Sequence, residues 1–312
     1  GIRKGLVANV SYNCKFIDCE FVRDAVGESP GGGLSFEIDM SREITFTRTK
    51  FAAYPYSGSQ ISRSSGDINF KDCDFVDAPP LFTEFNFDCS VKDSRIQVNV
   101  PEFQNNTGGI GLGSSCSNIK AINNELVLDN VHMGVTTADI QTFPQATCIG
   151  NEIKGNTFRM TNSQVGIGVS GGRTVVSGNR IFGGIRAAFH SSLRRKEQSG
   201  LDGLAWFTNN IVVGDLARVM YISERVVLEE NEFIHEGGAN DTPHGNIINN
   251  HGSNKVDSKN IKLVNNTFHN WFLQNNSVNL VGEMDGSINL SNNHFRGCVN
   301  TPDGDFIIDF KD

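Results

Sequence analysis

Ser177-Gly178-Asn179-Arg180-Ile181-Phe182 is a run that the chain writes repeatedly. Leu228-Glu229-Glu230-Asn231-Glu232-Phe233 has the same form, as do Val264-Asn265-Asn266-Thr267-Phe268 and Leu290-Ser291-Asn292-Asn293-His294-Phe295. Each is a few β-prone residues, a polar pivot, one variable residue, then Phe or an aliphatic. Aligned on the position two before that apolar residue, the pivots read Cys19, Thr49, Cys73, Ser94, Asn124, Asn156, Asn179, Asn209, Asn231, Asn266 and Asn293. They recur about every 27 residues, a period that marks a repeat architecture. A unit this short with no amphipathic helical period cannot bury a core alone, whereas stacked units share one. One polar position per unit predicts a ladder in which stacked side chains bond the coils before and after. The expected fold is an all-β solenoid, with residues 1–312 as a single domain. A sandwich or barrel would also use short strands but requires no recurring Asn.

The composition agrees. Among 312 residues, 33 Gly and 22 Phe against 4 Tyr and 2 Trp suit many short strands joined by turns. A net charge of −8 argues against nucleic acid or an anionic membrane surface as partner. No apolar run approaches the roughly 20 residues that span a bilayer. The chain has no initiator Met and repeating sequence at both ends, so it reads as a piece of something longer. Cys14, Cys19, Cys73, Cys89, Cys116, Cys148 and Cys298 are odd in number and contain no Cys-x-x-Cys pair. Neither a zinc knuckle nor another metal or cofactor is expected. Buried free thiols are the better reading, which points to assembly in a reducing cytosol.

The ladder followed by an aliphatic or Phe, about eleven times over, resembles the right-handed parallel β-helix of the pectate-lyase superfamily. Among its members the chain looks most like bacteriophage tailspikes and related depolymerases. The resemblance implies three parallel sheets, a homotrimer, a place in the phage virion after assembly in the host cytoplasm, and a bacterial polysaccharide (capsule or O-antigen) as partner. A secreted or cell-surface location is the alternative. It implies architecture more strongly than chemistry, since the same helix carries hydrolases, lyases and inactive adhesins. The polygalacturonase motifs, the Arg-x-Pro-x-x-Arg of pectate lyases and calcium-binding Gly-Gly-x-Gly-x-Asp repeats are absent.

In that family the strand entering each coil before the pivot strand lines the substrate groove, and strand alternation says which side chains face out. In Leu34–Met40 the outward set is Ser35, Glu37 and Asp39; in Phe82–Asp88 it is Glu84, Asn86 and Asp88, with Phe85 and Phe87 inside. Arg186 and His190 face out in the next candidate strand, followed one coil later by Tyr221, with Glu224 at its turn. Glycoside hydrolysis needs two carboxyl groups, about 6.5–9.5 Å apart for inversion. Glu84 and Asp88 against Glu37 and Asp39, two coils away at roughly 9.6 Å, are candidates, with Glu37, Asp39 and Asn86 as substrate contacts. β-Elimination of a uronide needs a cation on the sugar carboxylate and a base at the neighbouring carbon, for which Arg186, His190, Tyr221 and Glu224 are candidates. The basic run Arg194-Arg195-Lys196 would grip an acidic glycan or face a neighbouring subunit. A non-catalytic glycan-binding or structural spike is the competing reading.

Overall fold

The computed structural model describes residues 6–24, 34–54, 56–83, 85–103, 107–113, 116–137, 149–169, 173–191, 205–216, 218–222, 226–236, 248–250, 258–259, 262–270, 278–281, 284–285, 291–296 and 308–311. Within them the chain winds as a parallel β-helix. One coil shows the plan: Phe36–Asp39 on a first face, Arg42–Thr47 on a second, Lys50–Tyr54 on a third. Each strand pairs in parallel with its counterpart one coil on, as Arg42–Thr47 does with Gly66–Lys71. The expected right-handed sense is the one that parallel strand–crossover–strand connections adopt in about 98% of cases. The second face is a sheet of ten strands. The first and third faces are continuous, because Thr157–Val169 and Arg180–Ser191 run through the corner between them.

The corner before each third-face strand explains the repeat. The residue ahead of every rung is left-handed: Asp18, Arg48, Asp72, Asp93, Asn123, Gly155, Gly178, Asn209, Glu230, Asn265 and Asn292 all have φ between 49° and 65°. Gly and Asn reach that conformation at least cost, which is why Asn is so often doubled. The first Asn turns the corner and the second is the rung. This corrects one pivot. Asn209 is the exposed, left-handed turn residue, and Asn210 is the buried rung. From Asn124 onward each rung gives its backbone N–H and its side-chain Nδ2 to Oδ1 of the next, as Asn179 does to Asn210, both at 3.0 Å. Its Nδ2 also donates to a carbonyl of the coil before, Ile153 at 2.9 Å. Cys73 and Ser94 continue the file with single bonds, the Cys73 N–H reaching Ser94 Oγ at 3.0 Å.

Phenylalanines fill the interior in the same periodic way. Phe16, Phe46 and Phe70 stack along the second face at 4.8 and 5.0 Å, and Phe21, Phe51 and Phe75 along the third at 5.5 and 5.1 Å. Each fully buried ring contributes about 1.5–3 kcal/mol by burial, and each stacked pair adds about 1 kcal/mol. The described cysteines, Cys14, Cys19, Cys73, Cys89 and Cys116, form no disulfide with one another. Cys148 and Cys298 lie outside the described residues.

Candidate functional site

The first face carries one outward file in continuous register, Glu37, Gln60, Leu81, Gly111, Thr136, Gly168 and His190, whose backbone register continues to Tyr221. Their neighbours Ile38, Ile61, Phe82, Ile110, Val135, Ile167 and Phe189 are buried, so period-two alternation turns this file toward solvent. Two glycines in it make room for side chains lying along the face. A Cβ on Gly111 would sit 2.6 Å from Leu81 Cδ2, and one on Gly168 would sit 2.7 Å from Met133 Sδ. The file therefore intersperses polar groups (Glu37 and Gln60 in succession, then Thr136 and His190) with apolar surface, at a spacing of about 4.8 Å per coil. Chemically this suits a long ligand that offers hydroxyls and apolar ring faces in turn.

His190 and Tyr221 are direct partners across adjacent coils, as their sequence positions imply. Arg186 lies four residues before His190 on the same strand. The side chains of Arg186 and Tyr221 lie outside the description, as do Glu224 and the basic run Arg194, Arg195 and Lys196.

The acidic constellation is arranged differently from its sequence expectation. Glu37 is outward and half-buried, one coil from Gln60. Asp39, expected outside, is 2% exposed; its carboxylate accepts from Ser62 Oγ at 2.9 Å and pairs with Arg63 Nη1 at 3.2 Å. Ser35, also expected outside, is buried and donates from Oγ to the Gly58 carbonyl at 3.1 Å. The strand ends after Asp39 because Met40 turns left-handed at φ 45°, and Met40 points out instead of in.

The stretch 82–88 departs further. The strand there is only Leu81–Phe82, after which a corner resets the alternation. Phe85 is 44% exposed with φ 59°. Asn86, expected to face a ligand, is fully buried and donates to the carbonyls of Ile61 (2.7 Å) and Thr83. It stands in register with Ser41 and Ser65, the hydroxyl residues of the same corner in earlier coils. Phe87, expected inside, lies half-buried on the second face under the Arg42 guanidinium, 5.1 Å from the ring centroid. Asp88 is exposed, as expected, but on the entry to the second face. It is left-handed at φ 54° and accepts from Asn118 Nδ2 at 3.1 Å. Asp88 and Glu37 thus belong to different faces. Glu84 lies outside the described residues.

Gln60, Leu81 and Thr136 join the file without having been candidates by chemistry. The shared glycine pattern of Gly109-Ile110-Gly111 and Gly166-Ile167-Gly168 was the available signal. Among the described residues no group of three His, Cys, Asp or Glu could hold a metal ion.

No protein-family model and no curated protein matches the chain. Among solved structures, a tailspike protein mutant of E. coli bacteriophage HK620, in complex with a pentasaccharide, matches with a TM-score of 0.42 and 12% identity. That match covers 86% of this chain and 59% of the other.

Proposed function

We propose that the chain is a surface-glycan recognition solenoid of a phage spike, which holds a bacterial polysaccharide along the first-face file and cleaves it by β-elimination near His190 and Tyr221. The observation that carries this reading is the register of His190 with Tyr221, in line with Thr136, Gln60 and Glu37. Two of the carboxylates named for a hydrolytic pair are engaged elsewhere, Asp39 by Ser62 and Arg63 and Asp88 by Asn118, and Asp88 lies on a different face from Glu37. That favours the eliminative branch. In it Arg186 neutralises the uronate carboxylate and thereby acidifies C5–H. Tyr221 or His190 takes the C5 proton, the electron pair forms the C4–C5 double bond, and the C4–O bond breaks. The leaving oxygen takes a proton, and the product is a 4,5-unsaturated uronate.

The test is incubation with a panel of acidic capsular and O-antigen polysaccharides, followed by ultraviolet detection of the unsaturated product. Wild-type protein should generate it, and His190→Ala and Tyr221→Phe should each slow it at least about 100-fold. New reducing ends without ultraviolet absorbance would move the assignment to hydrolysis. Binding without any product would leave a non-catalytic glycan-binding spike.

A further inference from the structure

The first-face file carries a local chemistry that its register alone does not show. On the strand Met133–Thr137, Gly134 and Val135 are consecutive buried residues, and a Cβ on Gly134 would lie 2.9 Å from Phe158 Cδ1 in the interior. Two inward positions in a row bring Met133 and Thr136 side by side on the outward surface. Both then reach the glycine of the next coil. The point where a Gly168 Cβ would stand is 2.7 Å from Met133 Sδ and 3.6 Å from both Met133 Cε and Thr136 Oγ1. A thioether, its methyl and a hydroxyl thus meet over one glycine, and both side chains are half-buried. Two coils before Gly168, Leu81 covers Gly111 in the same way, its Cδ2 2.6 Å from where that Cβ would be. From Gly111 through Thr136 and Gly168 to His190, apolar and polar surface therefore alternate coil by coil.

We propose, resting on the eliminative reading of His190 and Tyr221, that the surface over Gly168 is an acetamido site and that the glycan alternates an N-acetylhexosamine with a uronic acid. Each coil rises about 4.8 Å, close to the length that one pyranose adds to an extended glycan, so sugars and coils run in step. With a uronate at His190, its neighbour lies over Gly168 and the next uronate over Thr136. An acetamido group there sets its methyl on the Met133 thioether, a soft and polarisable surface. Its amide reaches Thr136 Oγ1, a hydroxyl that can donate to the C=O or accept from the N–H. A 6-deoxy sugar would cover the thioether and leave the hydroxyl unused, and an ordinary hydroxymethyl group would do the reverse. A group that carries methyl and amide within a few atoms uses both. Leu81 over Gly111 then offers the following N-acetyl group an apolar contact, at the two-coil period of a disaccharide repeat.

The His190→Ala variant leaves polymers intact, so affinity electrophoresis through polymer-containing gels measures its binding apart from cleavage. Hyaluronan, heparosan and unsulfated chondroitin, which alternate glucuronate with an N-acetylhexosamine, are the probes. Alginate and polygalacturonate, uronate throughout, are the controls. At least one probe should bind about tenfold more tightly than either control. Exchanging its N-acetyl groups for N-formyl removes one methyl per disaccharide and should weaken binding about fourfold. Adding Met133→Gln should erase that fourfold difference. Adding Thr136→Val should weaken the N-acetyl polymer about fivefold and leave alginate unchanged. Controls that bind as tightly as the probes, or an N-formyl polymer that binds as tightly as its N-acetyl parent, would overturn the acetamido site and leave the cleavage reading standing. Binding of none of the five polymers would overturn it as well, while cleavage is decided separately on the wider panel.

Discussion

Asn156 donates twice to a single oxygen: its backbone N–H and its side-chain Nδ2 reach Oδ1 of Asn179 at 3.0 and 2.9 Å. Asn179 is therefore both a rung and the acceptor that completes the rung before it. Asn179→Ala would strand two buried donors of Asn156 and remove two bonds made by Asn179 itself. A loss of about 3 kcal/mol or more in urea unfolding is expected, since each unsatisfied buried group costs about 1–3 kcal/mol. Asn179→Ser, which copies the hydroxyl that Ser94 supplies, should lose about half as much. Equal losses in the two variants would show that the amide bonds are not what matters.

Two glycines separate conformational strain from steric strain. Gly178 has φ 64°, and a Cβ there would find its nearest atom 4.0 Å away. Gly183 has φ 118°, and its Cβ would lie 1.9 Å from the Met160 carbonyl oxygen. Gly178→Ala should lose about 1 kcal/mol, and Gly178→Asn less. Gly183→Ala, relieved only by moving backbone, should lose several times that. Calorimetric melting of the three variants provides the comparison, and similar melting temperatures for the two alanine variants would refute the close contact.

Gly66 and Phe87 should be strongly coupled. A Cβ on Gly66 would run into the Phe87 ring, which sits beside that glycine beneath Arg42. Gly66→Ala should destabilise the chain in the native background and do so by at least about 1 kcal/mol less in a Phe87→Ala background. Additive effects in the four-member cycle would contradict the contact.

Burial pushes the Cys73 thiol up to about 11, the Cys89 thiol to about 12 and the Tyr56 phenol to about 12. Desolvation disfavours their charged forms, so the folded state holds these protons more tightly than the unfolded one. The associated stability is fully present below the unfolded values, 9.0 for the thiols and 10.0 for the phenol, and is lost as pH rises through the folded ones. Urea midpoints should therefore fall progressively between about pH 9 and 12. Thiol labelling at pH 8 should reach the partly exposed Cys14 and Cys19 well before Cys73 and Cys89. A flat stability profile through pH 11 would contradict the buried environment.

The sequence exposes the solenoid clearly and its faces less clearly. Rungs such as Asn156, Asn179 and Asn231 are legible because a buried, bonded amide leaves little choice of residue. Asn209 and Asn210 are indistinguishable in the sequence because a left-handed corner and a rung both favour Asn. The facing of Ser35, Asp39 and Asn86 departs from strand alternation for a related reason. Period-two alternation holds only within a strand, and here the strands end after Asp39 and Phe82. A single left-handed residue resets which side the next side chain takes. The pairing of His190 with Tyr221 is legible because both lie within strands, where the register carries over from one coil to the next.

The amide file from Asn124 to Asn293 also has a direction. From amide to amide the protons always pass forward along the chain, while the second Nδ2 proton of each rung goes back to a carbonyl of the coil before, so the amide-to-amide bonds form a one-way wire. Spliced segments must respect that polarity. A tandem copy of residues 156–178 inserted ahead of Asn179 presents an acceptor to Asn156 and donors to Asn179, and extends the wire by one link. A solenoid grown by head-to-head fusion would set two acceptors or two donors face to face at the seam. Lengthening this protein is thus a matter of orientation before it is one of sequence.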